Sequence, residues 1–242
     1  MYKRPKSLKN VMNHYCPGCG HGIVHRIIAE IIDELDIQNK TIGVAPIGCS
    51  VFIYNYIDVD FIEPPHGRGP AAATGLKRYM PDKVIFTYQG DGDLAGIGTS
   101  EIIHAANRGE KITVIFINNG VYGMTGGQMA PTTLIGHKTT TSPYGRGENE
   151  EGKPIRMLEM LAKLDTEAYI ERTTIIDPAS VIKTKDAIKR AFENQLNDKC
   201  FSIVEIVSNC PTNWKMGVLE SMKYIKEKVL PVYPLGVIKE PK

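Results

Sequence analysis

Two apolar runs, joined by a helical pattern, occupy the middle of this chain. Residues 84–88 form the first run and lead into a Gly-Asp-Gly triplet, while residues 112–117 form the second and lead into an Asn-Asn pair. Residues 99–108 between them have the pattern of a helix. A strand, a helix and a strand in this order typically give two parallel strands. The sequence therefore predicts that Asp91 and Asn119 lie at the carboxyl ends of neighbouring strands.

The polar residues that follow these runs have the chemistry of a metal-bound phosphate site. Open α/β sheets bind ligands at the carboxyl edge of their strands. A carboxylate, a carboxamide and a free backbone carbonyl are hard oxygen ligands that suit Mg²⁺, which commonly bridges protein to phosphate. Gly90 and Gly92 would let the backbone approach phosphate oxygens closely. The pattern predicts a site for a Mg²⁺-bound diphosphate, although a Gly-Asp-Gly triplet alone also occurs in ordinary turns.

The cysteines predict a second site at the same edge of the sheet. The chain has five of them: Cys16, Cys19, Cys49, Cys200 and Cys210. The first two precede a helical pattern, while Cys49 and Cys210 follow strand-like runs, so we expect these four to share the edge that carries Asp91. Four converging thiolates suit a [4Fe–4S] cluster. Cys200 lies at the opposite end of its run, and we interpret it as a small core residue.

Other roles for the cysteines remain open on spacing alone. A structural Zn²⁺ site also uses four cysteines, but usually as two Cys-x-x-Cys pairs, and this chain has one such pair. A redox dithiol is a further alternative, because the pair precedes a helix whose dipole would lower a thiol pKa. A disulfide framework fits poorly, since the cysteine count is odd and a chain of this length needs no staples.

Composition sets the broader expectations. The chain has 242 residues, of which 42% are hydrophobic, and a formal net charge of +2. This suits one domain over residues 1–242, with an N-terminal Cys-x-x-Cys segment and a C-terminal helical tail. The balanced charge gives no electrostatic case for nucleic acid, and no apolar run reaches membrane-spanning length. No apolar segment follows the basic N-terminal residues, so we expect no signal peptide and, given free cysteines, a cytoplasmic protein.

The alternation of strand-like and helical patterns predicts the fold class. We expect an α/β protein with a doubly wound, mostly parallel sheet that carries helices on both faces. The predicted strands are residues 41–45, 84–88, 112–117, 168–173 and 201–207, the last being the final strand of the chain. The predicted helices are residues 22–35, 70–79, 99–108, 155–164, 178–196 and 217–229. Residues 52–58 are ambiguous.

Two polar segments are further candidates for the site. His66, Gly67 and Arg68 precede a predicted helix, and a histidine and an arginine there could contact a diphosphate or a substrate carboxylate. Residues 123–152 are long, polar and rich in Gly, Thr and Pro. Because a loop of this length in a compact domain is usually functional or mobile, we interpret it as a segment that covers a cofactor or contacts another subunit.

Several motifs together resemble one enzyme family. Gly-Asp-Gly followed about twenty-five residues later by Asn-Asn resembles the fingerprint of the thiamine diphosphate enzymes. The stretch YGMTGGQ that follows, together with CPGCGHG, IGCS, HGR and CPTNW, resembles the β subunits of the 2-oxoacid:ferredoxin oxidoreductases. The resemblance covers nearly the whole chain. It implies the thiamine diphosphate-binding fold and, specifically, its diphosphate-binding half.

The resemblance also implies which residues bind each group. Mg²⁺ would be held by Asp91, Asn119 and the backbone oxygen of Val121, and thiamine diphosphate would lie beside it. Cys16, Cys19, Cys49 and Cys210 would hold the [4Fe–4S] cluster. His66 and Arg68 are the candidate catalytic residues. The full set of residues expected to contact the cofactor is Gly48, Cys49, Ser50, His66, Gly90, Asp91, Gly92, Asp93, Asn119, Val121, Gly123, Met124 and Thr125.

The reaction implied is the oxidative decarboxylation of a 2-oxoacid to acyl-coenzyme A and CO₂, with electrons passing through the cluster to ferredoxin. The stretch VFIYNYIDVD favours 2-oxoisovalerate over 2-oxoglutarate as the substrate. An α subunit would supply a Glu to the aminopyrimidine ring, and γ and ferredoxin-like δ subunits, or fused equivalents, would complete the complex. The alternatives are a non-redox two-subunit thiamine diphosphate decarboxylase and a zinc-stabilised, non-catalytic α/β binding module.

Overall fold

The computed structural model describes residues 3–242, so Met1 and Tyr2 of the predicted 1–242 domain lie outside the described residues. Within this range the chain forms nine strands. They are β1 (Thr41–Val44), β2 (Asp60–Ile62), β3 (Val84–Gly90), β4 (Thr113–Asn118), β5 (Val121–Tyr122), β6 (Gln128–Met129), β7 (Ala168–Thr174), β8 (Phe201–Val207) and β9 (Gly236–Lys239).

Seven of these strands form one sheet in the order β2-β1-β3-β4-β8-β7-β9. Every neighbouring pair in it is parallel except β7 and β9, which are antiparallel. β5 and β6 form a separate two-residue hairpin. Every residue of β4 and β8 is buried, as expected for parallel strands covered on both faces. The predicted doubly wound α/β class is confirmed.

Eight α-helices connect and cover the strands of the described part of the chain. They are α1 (His21–Glu34), α2 (Gly69–Tyr79), α3 (Thr99–Asn107), α4 (Glu148–Glu151), α5 (Met157–Ala162), α6 (Pro178–Leu196), α7 (Pro211–Trp214) and α8 (Val218–Tyr224). The predicted positions of α1, α2, α3, α5 and α6 agree with these bounds to within two residues. α6 begins where the sequence indicated, because Asp177 and Ser180 form a reciprocal capping box and Pro178 occupies its first turn.

The helices divide into two layers because neighbouring residues of a strand point to opposite faces of the sheet. On β3, Phe86 packs in the core that also contains α1 and α6. Its neighbour Ile85 packs in the opposite core, with apolar residues of α2, α3 and α5. The predicted apolar stripe of α1 lies in the first of these cores, where Ile28, Ile31 and Ile32 are fully buried.

Two short edge strands differ from the sequence-based expectation. β8 was predicted to be the last strand, which is wrong, because β9 follows it and pairs with β7. β2 lies at the other edge of the sheet and pairs with β1. It follows shortly after residues 52–58, which were ambiguous in sequence. Both strands have only three or four residues and neither is fully buried. Such short segments carry too little apolar alternation to be identified from sequence, and it is the ladder with a neighbour that defines them.

The Gly-Asp-Gly triplet opens into an unusual helical turn. β3 ends at Gly90, and residues Gly92–Ile97 form a π-helical turn before α3 begins. π-helical turns are rare and are frequent at functional sites. The sequence indicated only a regular helix starting at Thr99. Asp91 is the residue between the end of β3 and this turn.

The long polar segment 123–152 is folded against a single buried arginine. The Arg146 side chain, which is 5% exposed, donates hydrogen bonds to six backbone carbonyl oxygens at distances of 2.8–3.3 Å. Those carbonyls belong to residues Ala130, Pro131, Thr133, Glu151, Gly152 and Lys153. A guanidinium has five donor hydrogens in a rigid plane, and here Nη1 shares its two among three carbonyls, so the group can satisfy a loop that has little regular structure of its own.

No helix within residues 3–242 is long and apolar enough to cross a membrane.

Candidate functional site

The carboxyl ends of β1, β3 and β4 surround a cavity of about 120 Å³. The parallel register aligns these ends, with Gly90 of β3 opposite Ile117 of β4. The cavity is lined by all of the residues predicted to contact the cofactor, together with His21, Ile47 and Tyr122. The predicted residues are Gly48, Cys49, Ser50, His66, Gly90, Asp91, Gly92, Asp93, Asn119, Val121, Gly123, Met124 and Thr125. Their individual roles stay predictions.

The Asp91 side chain is buried and held by several hydrogen bonds in this cavity. It is 2% exposed, and its carboxylate accepts three hydrogen bonds. Oδ1 accepts the Gly92 N–H at 3.0 Å, and Oδ2 accepts the Gly120 N–H at 2.6 Å and the Thr132 hydroxyl at 2.6 Å. An ionised carboxylate can accept about four, so roughly one position remains for another ligand. Burial raises the pKa of Asp91 to about 6, and these hydrogen bonds oppose the rise.

The Asn-Asn pair forms a turn that is fixed from two sides. Asn119 Oδ1 accepts the Val121 N–H at 3.2 Å, and the Asn119 carbonyl accepts the Trp214 indole N–H at 3.0 Å. Gly120, which lies between Asn119 and Val121, has a φ of 70°, a left-handed conformation that favours glycine. These contacts place Asn119 and Val121 in the wall of the cavity that contains Asp91.

The charge of the cavity fits a divalent cation. Its lining contains two carboxylates, Asp91 and Asp93, and no lysine or arginine among the described residues. A diphosphate bound there without a cation would place negative groups against negative groups. Mg²⁺ takes oxygen ligands and usually combines one or two protein carboxylates with substrate phosphates. The donor set of Asp91, the Asn119 amide and a backbone carbonyl therefore fits Mg²⁺.

His66 is held in the cavity wall by Asp93. Its Nδ1 lies 2.5 Å from Asp93 Oδ1, which also accepts the Gly67 N–H at 2.9 Å. The other Asp93 oxygen accepts the Gln89 amide N–H at 2.6 Å. A carboxylate on Nδ1 orients the imidazole and favours the proton on that nitrogen. Asp93 thus fixes the ring of His66, while about 29% of the His66 side chain remains exposed.

The structure places Arg68 away from this group. Arg68 does not line the cavity; its guanidinium forms an ion pair with Glu101 in the first turn of α3, and half of its side chain is exposed. One Glu101 oxygen is buried without a hydrogen-bond partner among the described residues. A catalytic role for Arg68 stays a prediction.

A second cavity, of about 70 Å³, lies beside the first. Its lining includes Cys16, Cys19, Cys49 and Cys210, the four cysteines that the sequence predicted to converge. Cys16 is exposed and the other three are partly buried. Cys200 is fully buried elsewhere, with its sulfur 3.9 Å from the Ser202 hydroxyl, as expected for a core residue. All five cysteines are free, and none forms a disulfide.

The thiols in this cavity are suited to act as ligands of a positively charged metal group. Burial raises the pKa of Cys19 to about 11 and that of Cys49 to about 12, and neighbouring thiols contribute to each rise. Burial also raises the pKa of Cys210. Four thiolates would repel one another at this density, whereas bound metal deprotonates a coordinating thiol outright. The donor set therefore fits a metal group that neutralises several thiolates together.

The two cavities share one wall. His21, Cys49, Asn119 and Gly123 line both of them. The wall is thin at Gly123, where an added Cβ would lie 3.0 Å from Cys49 Sγ and 3.8 Å from Cys210 Sγ. His21, in the same wall, is buried and shares a hydrogen bond of 2.7 Å with the Tyr88 hydroxyl, and burial lowers the His21 pKa to about 4. A group in one cavity is therefore adjacent to a group in the other.

Sequence analysis missed several residues that position the site. Thr132 donates to Asp91 from 41 residues away, and no local pattern marks it. Asn213 and Trp214 belong to the CPTNW motif, but only its cysteine had been given a role. Asn213 donates to Cys210 Sγ and to the Gly123 carbonyl, while Trp214 donates to the Asn119 carbonyl. The motif itself was the available signal for these two.

A larger surface concavity, of about 930 Å³, lies at the opposite edge of the sheet. It is lined by residues before β1, β3 and β4 and by the end of α6, including Lys40, Lys83, Lys111 and Asp198. Ligands of open α/β sheets bind at the carboxyl ends of strands, and this concavity lies at the amino ends. It contains none of the predicted site residues.

Comparisons with known proteins agree with this geometry. The family model of the thiamine pyrophosphate enzyme, C-terminal TPP binding domain, matches residues 46–206. The 2-oxoglutarate synthase subunit KorB of Methanocaldococcus jannaschii is 38% identical over 232 residues, which cover 93% of this chain and 80% of that protein. The chain belongs to the thiamine diphosphate-binding β subunits of the 2-oxoacid oxidoreductases.

Other relatives of these β subunits differ in length. The ketoisovalerate oxidoreductase subunit VorA of Methanothermobacter marburgensis is 47% identical over 235 residues, covering 97% of this chain but 49% of that protein. The chain thus spans about half the length of the VorA proteins that it matches. A solved structure of 2-oxoglutarate:ferredoxin oxidoreductase from Magnetococcus marinus, with 2-oxoglutarate, coenzyme A and succinyl-CoA bound, has a TM-score of 0.81 and 24% identity. It covers 100% of this chain and 86% of that one, and it supports the fold.

The segment matched by the family model contains only one of the four cysteines of the thiol cavity. Residues 46–206 contain every predicted cofactor-contacting residue and Cys49. Cys16, Cys19 and Cys210 lie outside that segment. The cofactor-binding domain common to thiamine diphosphate enzymes therefore supplies one thiol, and flanking segments of this chain supply the other three.

Proposed function

We propose that this chain is the β subunit of a 2-oxoacid:ferredoxin oxidoreductase that binds thiamine diphosphate, Mg²⁺ and one [4Fe–4S] cluster. The complex would oxidatively decarboxylate a 2-oxoacid to acyl-coenzyme A and CO₂. The observation that carries the proposal is the wall shared by the two cavities. A diphosphate site with no adjacent thiols would suit any thiamine diphosphate enzyme, whereas four cysteines directly behind it suit one that removes electrons.

The protein groups would act mainly by binding and orientation. Asp91, Asn119 and the Val121 carbonyl would hold Mg²⁺ against the diphosphate. His66, fixed by Asp93, would present its free nitrogen to the ligand, where it can donate or accept a proton. When bound, thiamine diphosphate supplies the electron sink that the decarboxylation needs, and the cluster accepts electrons one at a time.

Partner subunits are part of the proposal. A cavity of about 120 Å³ is small beside the 300–1,000 Å³ that bury most of a drug-sized ligand, so it suits the diphosphate half of the cofactor. An α subunit would supply the aminopyrimidine site and its Glu. γ and ferredoxin-like δ subunits, or fused equivalents, would handle coenzyme A and pass electrons to ferredoxin. The greater length of the VorA relatives leaves room for such a fused half.

The favoured substrate is 2-oxoisovalerate. The identity to VorA, named as a ketoisovalerate oxidoreductase subunit, is 47%, against 38% for the KorB subunit of a 2-oxoglutarate synthase. We also propose that the chain forms a single domain, because one sheet carries both cavities. Its five free cysteines support a reducing, cytoplasmic location.

The test separates the two cofactor sites. The chain is co-expressed with its partner subunits and purified without oxygen, and thiamine diphosphate with Mg²⁺ is titrated into Asp91→Ala and Asn119→Ala complexes by calorimetry. We expect both variants to lose Mg²⁺-dependent binding but to keep their iron, because the thiolates are untouched. Unchanged affinity in both variants would contradict the assigned site.

Activity measurements then test the reaction. The unmodified complex should reduce ferredoxin in the presence of coenzyme A and a 2-oxoacid, fastest with 2-oxoisovalerate in a substrate panel, whereas this chain alone should be inactive. Decarboxylation without iron would favour the non-redox decarboxylase. Zinc in place of iron, without any turnover, would favour the non-catalytic binding module.

A further inference from the structure

The short helix α7, which carries the CPTNW motif, lines the thiol cavity and donates hydrogen bonds to the segment that lines the cofactor cavity. Cys210 immediately precedes α7, and Pro211 occupies its first turn. Asn213 and Trp214 follow within the same turn, and each reaches back to a carbonyl of the cofactor-binding segment. Only Cys210 has been given a function so far. The inference below rests on the proposed function, because it concerns the cluster that Cys210 would bind.

Asn213 contacts the cluster side and the cofactor side with one amide group. Its Nδ2 donates to Cys210 Sγ at 3.2 Å and to the Gly123 carbonyl at 3.0 Å. Cys210 Sγ is thus a hydrogen-bond acceptor of the Asn213 side chain. Gly123 lines both cavities.

The surrounding loop leaves Asn213 little freedom to move away. Gly127 has a φ of 79°, and an added Cβ there would lie 2.9 Å from the Asn213 Cβ. The hairpin of β5 and β6, which flanks that glycine, therefore packs directly on Asn213. The neighbouring Trp214 is 8% exposed and anchors α7 through its bond to the Asn119 carbonyl. Asn213 is thus an organised donor, which is what a tuning contact needs.

Hydrogen bonds to the sulfur ligands of a cluster change its reduction potential. Reduction adds one electron from the substrate and makes the cluster more negative by one charge. An N–H that points at a ligand sulfur stabilises the more negative state more than the oxidised one. A donor at Cys210 therefore makes electron transfer from the adjacent cavity more favourable.

We propose that Asn213 is a positioning residue that raises the reduction potential of the cluster through its amide bond to Cys210, while holding the Gly123 wall against the cofactor. Trp214 performs neither of these tasks and instead holds the cofactor-binding segment through the Asn119 carbonyl. The two residues of α7 are therefore separable by experiment. Asn213 controls the cluster and the wall, and Trp214 controls the cofactor segment alone.

The experiment measures the potential directly in the complete complex. The β subunit is co-expressed with its partners as Asn213→Ala, Asn213→Leu, Asn213→Gln and Trp214→Phe, and each complex is purified without oxygen. The cluster midpoint potential is read by redox titration followed by electron paramagnetic resonance, and iron content is measured on the same samples. Asn213→Leu keeps a similar side-chain volume without a donor, and Asn213→Gln keeps the amide. Trp214→Phe is the matched control, since it removes a different α7 hydrogen bond.

We expect Asn213→Ala and Asn213→Leu to shift the potential to more negative values with full iron content. Asn213→Gln should recover part of the shift, and Trp214→Phe should leave the potential unchanged. An unchanged potential in both donor-free variants would overturn the inference, and so would an equal shift in Trp214→Phe, which would indicate general loosening of α7. Loss of the cluster in both donor-free variants, with Trp214→Phe intact, would show a need for Asn213 in assembly and would also overturn it.

The same samples distinguish this inference from the proposed function. An unmodified complex with no iron–sulfur signal would contradict the proposed function and, with it, this inference. A normal cluster signal in the unmodified complex, combined with an Asn213-independent potential, would remove the inference alone.

Discussion

The Thr132 hydroxyl gives the sharpest test of how Asp91 is held for Mg²⁺. Thr132 is 2% exposed, and its hydroxyl donates to Asp91 Oδ2 at 2.6 Å. Replacement by Val keeps the shape of the side chain and deletes this donor. The carboxylate then retains only its two backbone donors, Gly92 and Gly120. Burial already raises the Asp91 pKa, so losing a donor disfavours the ionised form further.

The size of the effect follows from the chemistry of this bond. A hydrogen bond to a charged group contributes about 1.5–3 kcal/mol. Since about 1.4 kcal/mol corresponds to a factor of ten, Thr132→Val should weaken Mg²⁺-dependent thiamine diphosphate binding by about 10- to 100-fold. Loss of a partner that orients a metal ligand typically costs the same range of metal affinity.

Calorimetric titration of the cofactor with Mg²⁺ into the anaerobic complex measures this change. Thr132→Ser keeps the hydroxyl and should bind within a few-fold of the unmodified complex. Thr184→Val is the matched control, because Thr184 is fully buried on α6 and donates to the Thr174 carbonyl at 2.8 Å. It should lose about 1 kcal/mol of stability with unchanged cofactor affinity. The reasoning is refuted if Thr132→Val binds as tightly as the unmodified complex, or if Thr132→Ser binds as weakly as Thr132→Val.

Two further predictions concern the thiols and the ion pair between Arg172 and Glu159. Cys210→Ser should lose most of the cluster iron while Cys200→Ser keeps it, because only Cys210 lines the thiol cavity; iron content after anaerobic purification decides this, and full iron in Cys210→Ser would exclude Cys210 as a ligand. Burial opposes the ionisation of Glu159, but hydrogen bonds and charge from Arg172 outweigh it and hold the Glu159 pKa at about 2 instead of 4.5. Its contribution to stability is complete above pH 4.5 and is lost as the pH falls towards 2. The free energy of unfolding, measured by urea titration at a series of pH values, should therefore fall less steeply with decreasing pH in Glu159→Gln. An unchanged slope between pH 4.5 and 3 would contradict this.

Much of the fold could be predicted from local pattern. Period and length identified β3, β4 and β8, since parallel strands buried on both faces are near-continuous apolar runs. α6 could be bounded because its cap and first-turn proline are local signals. β2 and β9 could not, because a strand of three or four residues at an edge is defined by its neighbour and not by its own residues.

The site divides along the same line. The chain order of strands, helices and motifs was enough to predict that Asp91, Asn119 and the four cysteines share one edge, because parallel strands end on the same side of a sheet. Side-chain contacts could not be predicted in this way: Arg68 stands two residues after His66, yet its guanidinium pairs with Glu101 on α3 and does not line the cavity with His66.

The amino-acid sequence by itself determined the class of fold, the edge that carries the chemistry and the residue types available there. The tertiary structure decided which of them touch. Thr132 reaches Asp91 across 41 residues, Asn213 reaches Gly123 across 90, and Trp214 reaches Asn119 across 95. Such contacts depend on how a folded loop and a four-residue helix pack over the ends of the strands. A hydrogen bond needs its two atoms placed to within a few tenths of an ångström, and periodicity and motif spacing in a sequence do not specify positions that finely.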